Sequence, residues 1–229
     1  GGPPEEPALS KKKGLNRFVW DMRNTTMNGV QDVYIESSYR GHKVPPGKYT
    51  VTLMEGSKEL SKEAVVLANP LYATDAKTYA EYDAFMTPIE AEVINMHNRI
   101  NDLDAKRILL EKLSGSIPGN NAQLKQSVKD LITKMKSWDN DMIQRKSKAY
   151  DDVDNFANKF TANYMFMINQ TESDMPKVNQ PSKDRLKELN LDWDKLRARA
   201  DEIDQNVITI NKALWNAGVG ALPQSIIKP

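Results

Sequence analysis

The two halves of the chain differ in the spacing of their apolar residues. Between residues 14 and 69 apolar and polar residues alternate, which is typical of half-buried β-strands. The alternation is clearest at Phe18, Trp20, Met22, Tyr49, Val51 and Leu53. From residue 71 onwards apolar residues recur every three or four positions, which indicates amphipathic helices. The sequence therefore predicts an α+β fold in which strands precede helices.

The β half contains about four predicted strands. They fall near residues 18–22, 33–35, 49–53 and 59–68, and the second is the weakest. Pro45-Pro46-Gly47 predicts a type II turn before the third strand, and residues 55–58 predict a hairpin connection after it. Because an immunoglobulin-like β-sandwich usually has about seven strands, we interpret residues 14–70 as a partial sandwich whose early strands are missing.

Residues 71–217 are predicted to form an elongated antiparallel bundle of three to four long helices. The apolar seam of the first helix comprises Tyr79, Tyr82, Met86, Ile89, Val93, Met96, Ile100, Leu103 and Leu110. That helix is predicted to end at Ser114-Gly115, and the last helix to start near Pro181-Ser182. The second and third helices meet near Ala149, where the sequence allows either a turn or a kink.

The two ends of the chain are predicted to lie outside these domains. Residues 1–13 combine three prolines and two glycines with a run of lysines, a composition typical of a linker. Residues 218–229 follow the last helical seam and are interpreted as a short C-terminal tail.

The composition argues against several classes of function, among them nucleic-acid binding and thiol chemistry. The formal charge is +1, with 39% hydrophobic and 28% charged residues and no cysteine. A chain so close to neutral has no long-range field that attracts nucleic acid, and without cysteine it forms neither disulfides nor thiolate sites. No run of about 18 apolar residues is present, so no membrane insertion is expected.

Candidate catalytic groups are few. The two histidines, His42 and His97, are far apart in sequence and outside any catalytic motif, which favours packing roles. Asp151, Asp152 and Asp154 lie at the start of the predicted third helix, where negative charge favours the positive end of the helix dipole. We therefore expect no catalytic residue, cofactor or metal site, and interpret the chain as not being an enzyme.

A carbohydrate-binding module is the alternative from another class of function. Exposed aromatic side chains on one sheet face can stack on sugars. The candidates in the β half are Trp20, Tyr34, Tyr39 and Tyr49. The alternation around Trp20 favours a core position for that residue, and exposed coplanar rings would favour sugar binding.

Two segments resemble a known family. Residues 14–23, Gly-Leu-Asn-Arg-Phe-Val-Trp-Asp-Met-Arg, and residues 44–51, Val-Pro-Pro-Gly-Lys-Tyr-Thr-Val, resemble the last strands of the immunoglobulin-like domain that follows the β-propellers of bacterial sortilin-like, neuraminidase-repeat proteins. A related signature occurs in flagellar hook-capping proteins. At the junction with the helices, Asn69 and Leu71 stand where such proteins commonly have an acid and an arginine.

The resemblance implies an exported parent, in the periplasm or at the cell surface, whose propellers and first sandwich strands lie upstream. Members are often labelled glycosyl hydrolases, and any such activity would belong to the propellers, because no family catalytic residue falls on this chain. We therefore expect a non-catalytic accessory module that packs on the upstream strands and propellers or presents its helices to a protein partner. The alternative is a carbohydrate-binding module of a cell-surface glycan-processing protein.

Overall fold

The computed structural model describes residues 2–71, 74–172 and 176–223. Its elements are β1 (Gly47–Glu55), β2 (Lys58–Val66), α1 (Ala76–Ser114), α2 (Ala122–Met142), a 3-10 turn (Tyr150–Asp154), α3 (Phe160–Glu172) and α4 (Gln180–Asn216). The described residues thus form four α-helices and one two-stranded antiparallel sheet. The predicted α+β class is confirmed at this level.

The long helices bury the faces that their apolar spacing predicts. All nine residues of the predicted α1 seam are buried, and the predicted end at Ser114 is confirmed. Asp75 caps α1 by accepting from the Thr78 N–H at 2.8 Å. The cap of α4 is Asn179, three residues before Ser182, whose N–H it accepts at 2.9 Å. At 39 and 37 residues, α1 and α4 are each about 55–60 Å long.

Helices α1 and α4 run in one direction along the bundle. Helices α2 and α3, one after the other, run in the opposite direction. Lys136 of α2 pairs with Glu111 of α1, and the Trp138 indole donates to the Leu196 carbonyl of α4 at 2.8 Å. Nearer the N-terminus of α4, Phe160 of α3 stacks on Trp193 at 6.0 Å. Helix α2 is therefore antiparallel to α1 and α4, and α2 and α3 lie end to end beside α4.

The break near Ala149 is neither a tight turn nor a kink. Residues 143–159 leave the helical path between α2 and α3 and include the 3-10 turn. The Asp152 carboxylate accepts the N–H groups of Lys148 and Ala149 at 2.7 and 3.1 Å. The three aspartates therefore lie in a 3-10 turn, rather than at the start of α3 as predicted, because α3 begins only at Phe160.

A loop that we call the strap (residues 23–43) takes the place of the second predicted strand, and the first, residues 18–22, lies directly before it without strand structure. Its ends pair through Asn24 N–H to His42 O at 3.0 Å and Met27 N–H to Tyr39 O at 2.7 Å, and Arg23 bridges to Lys43. Between them the chain lies across the helices. The strap adds five buried side chains to the helical core, namely Met27, Val30, Val33, Ile35 and Tyr39. Burying each of them contributes about 1.5–3 kcal/mol.

The partial immunoglobulin-like sandwich expected over residues 14–70 is not confirmed. Residues 18–22 and 33–35 form no strand, and only residues 47–66 form a sheet. Phe18, Val19 and Met22 are all exposed, so their alternation does not separate a buried face from a solvated one. The apolar residues near position 33 are buried against helices instead of a second sheet.

The β1–β2 pair, called the ribbon below, is the hairpin predicted at residues 55–58. Glu55 pairs with Lys58 and Gly47 with Val66. Gly56 has φ +60°, the region that favours glycine in a two-residue hairpin turn. Among the described residues β1 and β2 contact each other but none of the helices. The ribbon therefore projects from the bundle.

The two ends of the chain lie along the folded part where the structure describes them. Residues 2–13 have no regular secondary structure, and the Glu6 carboxylate accepts the Thr26 N–H of the strap at 2.7 Å. After α4, the Asn211 side chain bonds both the N–H and the carbonyl of Leu222, at 2.6 and 3.0 Å. Residues 224–229 of the predicted tail lie outside the described residues.

Candidate functional site

The two faces of the ribbon differ sharply in polarity. Because directly paired residues of an antiparallel pair point to the same side, the register places one apolar set together. This set, which we call the bare face, comprises Tyr49, Val51, Leu53, Leu60, Ala64 and Val66, together with the charged residues Lys62 and, next to the turn, Glu55 and Lys58. The opposite face carries Lys48, Thr50, Thr52, Glu59, Ser61 and Glu63, with Met54 and Val65 among them. The ribbon thus has the pattern of a sheet with one buried face.

Most of the bare face is open to solvent. Val51, Leu53 and Leu60 have 55%, 51% and 61% of their surface exposed. Isolated apolar side chains at a surface are ordinary, whereas apolar residues gathered on one side of a strand pair mark a contact surface. The bare face is the candidate interaction site of this chain.

The root of the ribbon is held by an aromatic pair. The rings of Trp20 and Tyr49 lie 5.4 Å apart at 62°, an edge contact. The Trp20 indole donates to the Arg23 carbonyl at 3.1 Å, and the Tyr49 hydroxyl donates to the Pro45 carbonyl at 2.6 Å. Both residues are half-buried, so the bare face begins at this pair and becomes more exposed towards the hairpin turn.

The four aromatic residues considered for sugar binding do not share one surface. Trp20 and Tyr49 are neighbours but meet edge to face. Tyr39 is 2% exposed in the core, where burial raises the pKa of its hydroxyl to about 12. Tyr34 lies beside Lys148, and its N–H donates to the Ser147 carbonyl at 3.0 Å. The structure therefore brings two of the four together and separates the other two.

A buried cluster of charged groups joins the strap to α1. His42 is 1% exposed. Its Nδ1 lies 3.0 Å from Glu90 Oε2, and its Nε2 lies 3.0 Å from Asp83 Oδ1. The second oxygen of Glu90 accepts the backbone N–H of His42 at 2.6 Å. The imidazole is thus enclosed between two carboxylates of one helix.

A second ion pair joins the same strap to α3. The Arg23 guanidinium contacts Glu172 at 2.6 Å and donates to the Gly41 carbonyl at 2.9 Å. The Tyr82 ring packs edge-on against His42 at 5.4 Å, and its buried hydroxyl has no hydrogen-bond partner among the described residues. These contacts place cations of the strap opposite acids of the helices.

The two histidines have opposite electrostatic environments. Burial lowers the pKa of His42, but its hydrogen bonds to Glu90 and Asp83 and their negative charges raise it above the ordinary value. Burial lowers the pKa of His97, and its Nδ1 contact with the Asn28 carbonyl, at 2.6 Å, offsets this only in part. His42 therefore favours the charged form, and His97 favours the neutral form.

Neither histidine is placed to act on a substrate. Both are buried, and both ring nitrogens of His42 already face carboxylates. Among the described residues no three His, Asp or Glu side chains converge as metal ligands would. What the cluster can do is bind the strap to the helix through charge.

Sequence reasoning missed this cluster because its members are distant in sequence. Asp83 and Glu90 lie 41 and 48 positions after His42, and His42 was interpreted as a lone packing residue. One signal was available. Glu90 directly follows Ile89 of the α1 seam and precedes Val93 by three positions, so an acid borders the predicted buried face.

No protein-family model, curated protein or solved structure matches the chain in comparisons with known proteins. In the part of the chain that the structure describes, no helix combines the length and apolar character needed to cross a membrane.

Proposed function

We propose that this chain is a non-enzymatic interaction module whose ribbon docks onto β-strands of a polypeptide segment outside these 229 residues and completes a sandwich with them. The observation that carries the proposal is the bare face, with Val51, Leu53 and Leu60 all more than half exposed. The helical bundle is the rigid support from which the ribbon projects.

The size of the ribbon supports a β-strand partner over a second copy. Strands of nine residues are about 30 Å long, and two of them present roughly 300 Å² on one face. A stable interface buries about 800 Å² on each partner, so two bare faces packed together fall short. Strands that also pair with the outer edges of β1 and β2 add main-chain hydrogen bonds to the apolar contact.

The marginal stability of a lone hairpin supports the same partner. A two-stranded ribbon is at best marginally stable in water, and a covering layer or further strands are needed for independent stability. Among the described residues β1 and β2 have no other strand beside them and no helix over them. The covering layer is therefore expected from outside the described part of the chain.

The family resemblance suggests where the partner strands come from. In sortilin-like, neuraminidase-repeat proteins the corresponding region follows further sandwich strands and β-propellers. We propose the same for this chain, in an exported parent located in the periplasm or at the cell surface. Any hydrolase activity would then belong to the propellers. The carbohydrate-binding alternative has no supporting observation, because its four aromatic residues do not form one exposed platform.

Site-specific photo-crosslinking tests the proposal. A photoreactive residue replaces Leu60 on the bare face in the protein produced in its own cells, and the matched control replaces Ser61, its neighbour on the opposite face. We expect Leu60 to cross-link to a segment with the alternating pattern of a β-strand, and Ser61 to give little product. Equal products at both positions, or a cross-link between two copies at Leu60, would contradict the proposed partner.

A further inference from the structure

We propose that Asp83, His42 and Glu90 form a pH-dependent latch that holds the strap, and through it the root of the ribbon, against α1. The idea that the latch regulates docking rests on the proposed function. The latch itself can be measured in this chain without any partner.

The carboxylates at the two ring nitrogens favour a positive charge on His42. Ionised carboxylates only accept hydrogen bonds, and a neutral imidazole has one donor and one acceptor nitrogen. Both ring nitrogens of His42 lie 3.0 Å from carboxylate oxygens, Nδ1 from Glu90 and Nε2 from Asp83. Both contacts are satisfied only when both nitrogens carry hydrogen, as in the imidazolium ion.

Burial makes the loss of that proton costly. His42 and Glu90 are 1% and 7% exposed, whereas the Asp83 side chain is 43% exposed. Water therefore does not replace a hydrogen bond lost at Glu90, where an unsatisfied buried group costs about 1–3 kcal/mol. Glu90 also accepts the His42 N–H at 2.6 Å. If the ring were neutral, one of its nitrogens would present a lone pair to a carboxylate, and the two would repel each other where the strap is bound to α1.

The other groups around the ring do not replace its charge. From α1, the Tyr82 ring contacts His42, and its hydroxyl stays neutral because burial raises its pKa. From α3, Glu172 faces Arg23 of the strap and is paired with it at 2.6 Å. The Asn24 amide nitrogen lies 3.1 Å from Nε2; it carries no charge and can donate to that nitrogen only when the ring is neutral.

The remaining cations near His42 in sequence point away from the latch. Arg40 lies 3.7 Å from Asp21 and is 55% exposed, and Lys43 is exposed. Neither neutralises the two carboxylates of α1 when the ring loses its proton. The state of His42 therefore sets the charge balance of the latch.

The direction of the effect follows from the raised pKa of His42. A histidine whose pKa is higher in the folded than in the unfolded chain contributes stability that is complete below about pH 6.5. That contribution is lost as the pH rises through the higher folded value. The latch is thus closed below about pH 6.5 and opens as the pH rises through the folded pKa of His42.

Opening the latch frees the root of the ribbon. His42 O accepts the Asn24 N–H, and Val44 N–H donates to Met22 O directly before β1. Because β1 and β2 contact no helix among the described residues, the orientation of the ribbon depends on this short paired stretch. Release of His42 therefore widens the range of directions in which the bare face points.

NMR titration of the whole 229-residue chain tests the latch, since its two histidines give separate signals. We expect His42 to titrate above pH 6.5 and His97 below it. Asp83→Asn should lower the pKa of His42, because an amide can satisfy Nε2 of a neutral ring. Glu81→Gln removes the same charge from an exposed position of α1 and should leave the titration of His42 unchanged.

Hydrogen exchange shows whether the strap moves. The protection of the Asn24 and Met27 amides, measured relative to that of Ile100 in α1, should fall by up to about tenfold for each pH unit between pH 6.5 and the folded pKa of His42, and level off above it. In Asp83→Asn this pH dependence should disappear. The latch is overturned if His42 titrates at or below pH 6.5, or if strap protection is constant across its titration. Either result leaves the Leu60 cross-link to decide the docking proposal independently.

Discussion

Leu53 and Leu60 lie directly opposite each other on the ribbon, and each has more than half of its surface exposed. Cross-strand apolar pairs stabilise sheets mainly when another layer covers them. This pair has no such layer among the described residues, so its leucines are available for contacts with a partner.

The first prediction separates the bare face from the core of the bundle. The double substitution Leu53→Thr with Leu60→Thr should change the free energy of unfolding by less than about 0.5 kcal/mol, because both side chains are already solvated. Leu110→Ala, at a fully buried position of α1, should cost about 2–5 kcal/mol. Urea unfolding of the whole chain measures both. Equal losses would show that the leucines already pack within the chain.

The second prediction concerns Trp138, which is 1% exposed and joins α2 to α4 through the Leu196 carbonyl. Trp138→Phe removes that hydrogen bond and part of the buried ring, which should destabilise the chain by about 1–3 kcal/mol. Trp215→Phe is the control, because that ring is 69% exposed. Thermal unfolding of the two variants gives the comparison, and an equally large effect at Trp215 would contradict the packing described here.

The third prediction tests the close approach of the strap ends. A Cβ atom on Gly41 would lie 2.5 Å from the Asn24 carbonyl oxygen. Because that oxygen belongs to the main chain, the clash is relieved only if the backbone of the paired strap ends shifts. Gly41→Ala should therefore cost roughly 1–3 kcal/mol. Gly119→Ala has no atom within 4 Å of the new Cβ and should cost far less. A harmless Gly41→Ala substitution would exclude this pairing of the strap ends.

The fourth prediction concerns acid sensitivity through His97, whose folded pKa is lowered by burial. As the pH falls from 6.5 to 5, the unfolded chain binds a proton that the folded chain resists. Stability should therefore decrease, by at most about 1.4 kcal/mol per pH unit. His42 adds little slope below about pH 5.5, where it is protonated in both the folded and the unfolded chain. His97→Gln should remove the slope in urea unfolding measured at several pH values. If the pH dependence of stability is unchanged in this variant, groups other than His97 cause it.

The helices were predictable because their information is local. An apolar residue every three or four positions determines a face, and the faces of α1, α2 and α4 are buried as their spacing predicts. The β1–β2 hairpin was equally local, since two alternating runs flank a two-residue connection that contains Gly56. Neither prediction needed any knowledge of what lies nearby in space.

The conformation of residues 18–22, directly before the strap, was not predictable in this way. Phe18 and Met22 alternate with polar residues as strand residues do, yet both are exposed, because alternation indicates a strand only where a neighbouring strand provides hydrogen bonds. The candidate site was likewise predictable only in part. The apolar set of the ribbon was visible in the sequence, whereas its exposure depends on which element covers it.

The sequence by itself determined the α+β class, the helical seams and the hairpin, since each depends on the periodicity of neighbouring residues. Only the tertiary structure decided that residues 23–43 cross the helices, that His42 lies between Asp83 and Glu90, and that the ribbon projects uncovered. These features depend on contacts between residues about 40 or more positions apart, or on the absence of such contacts. The physical reason is that burial and charge pairing are properties of position in space, which local spacing does not encode.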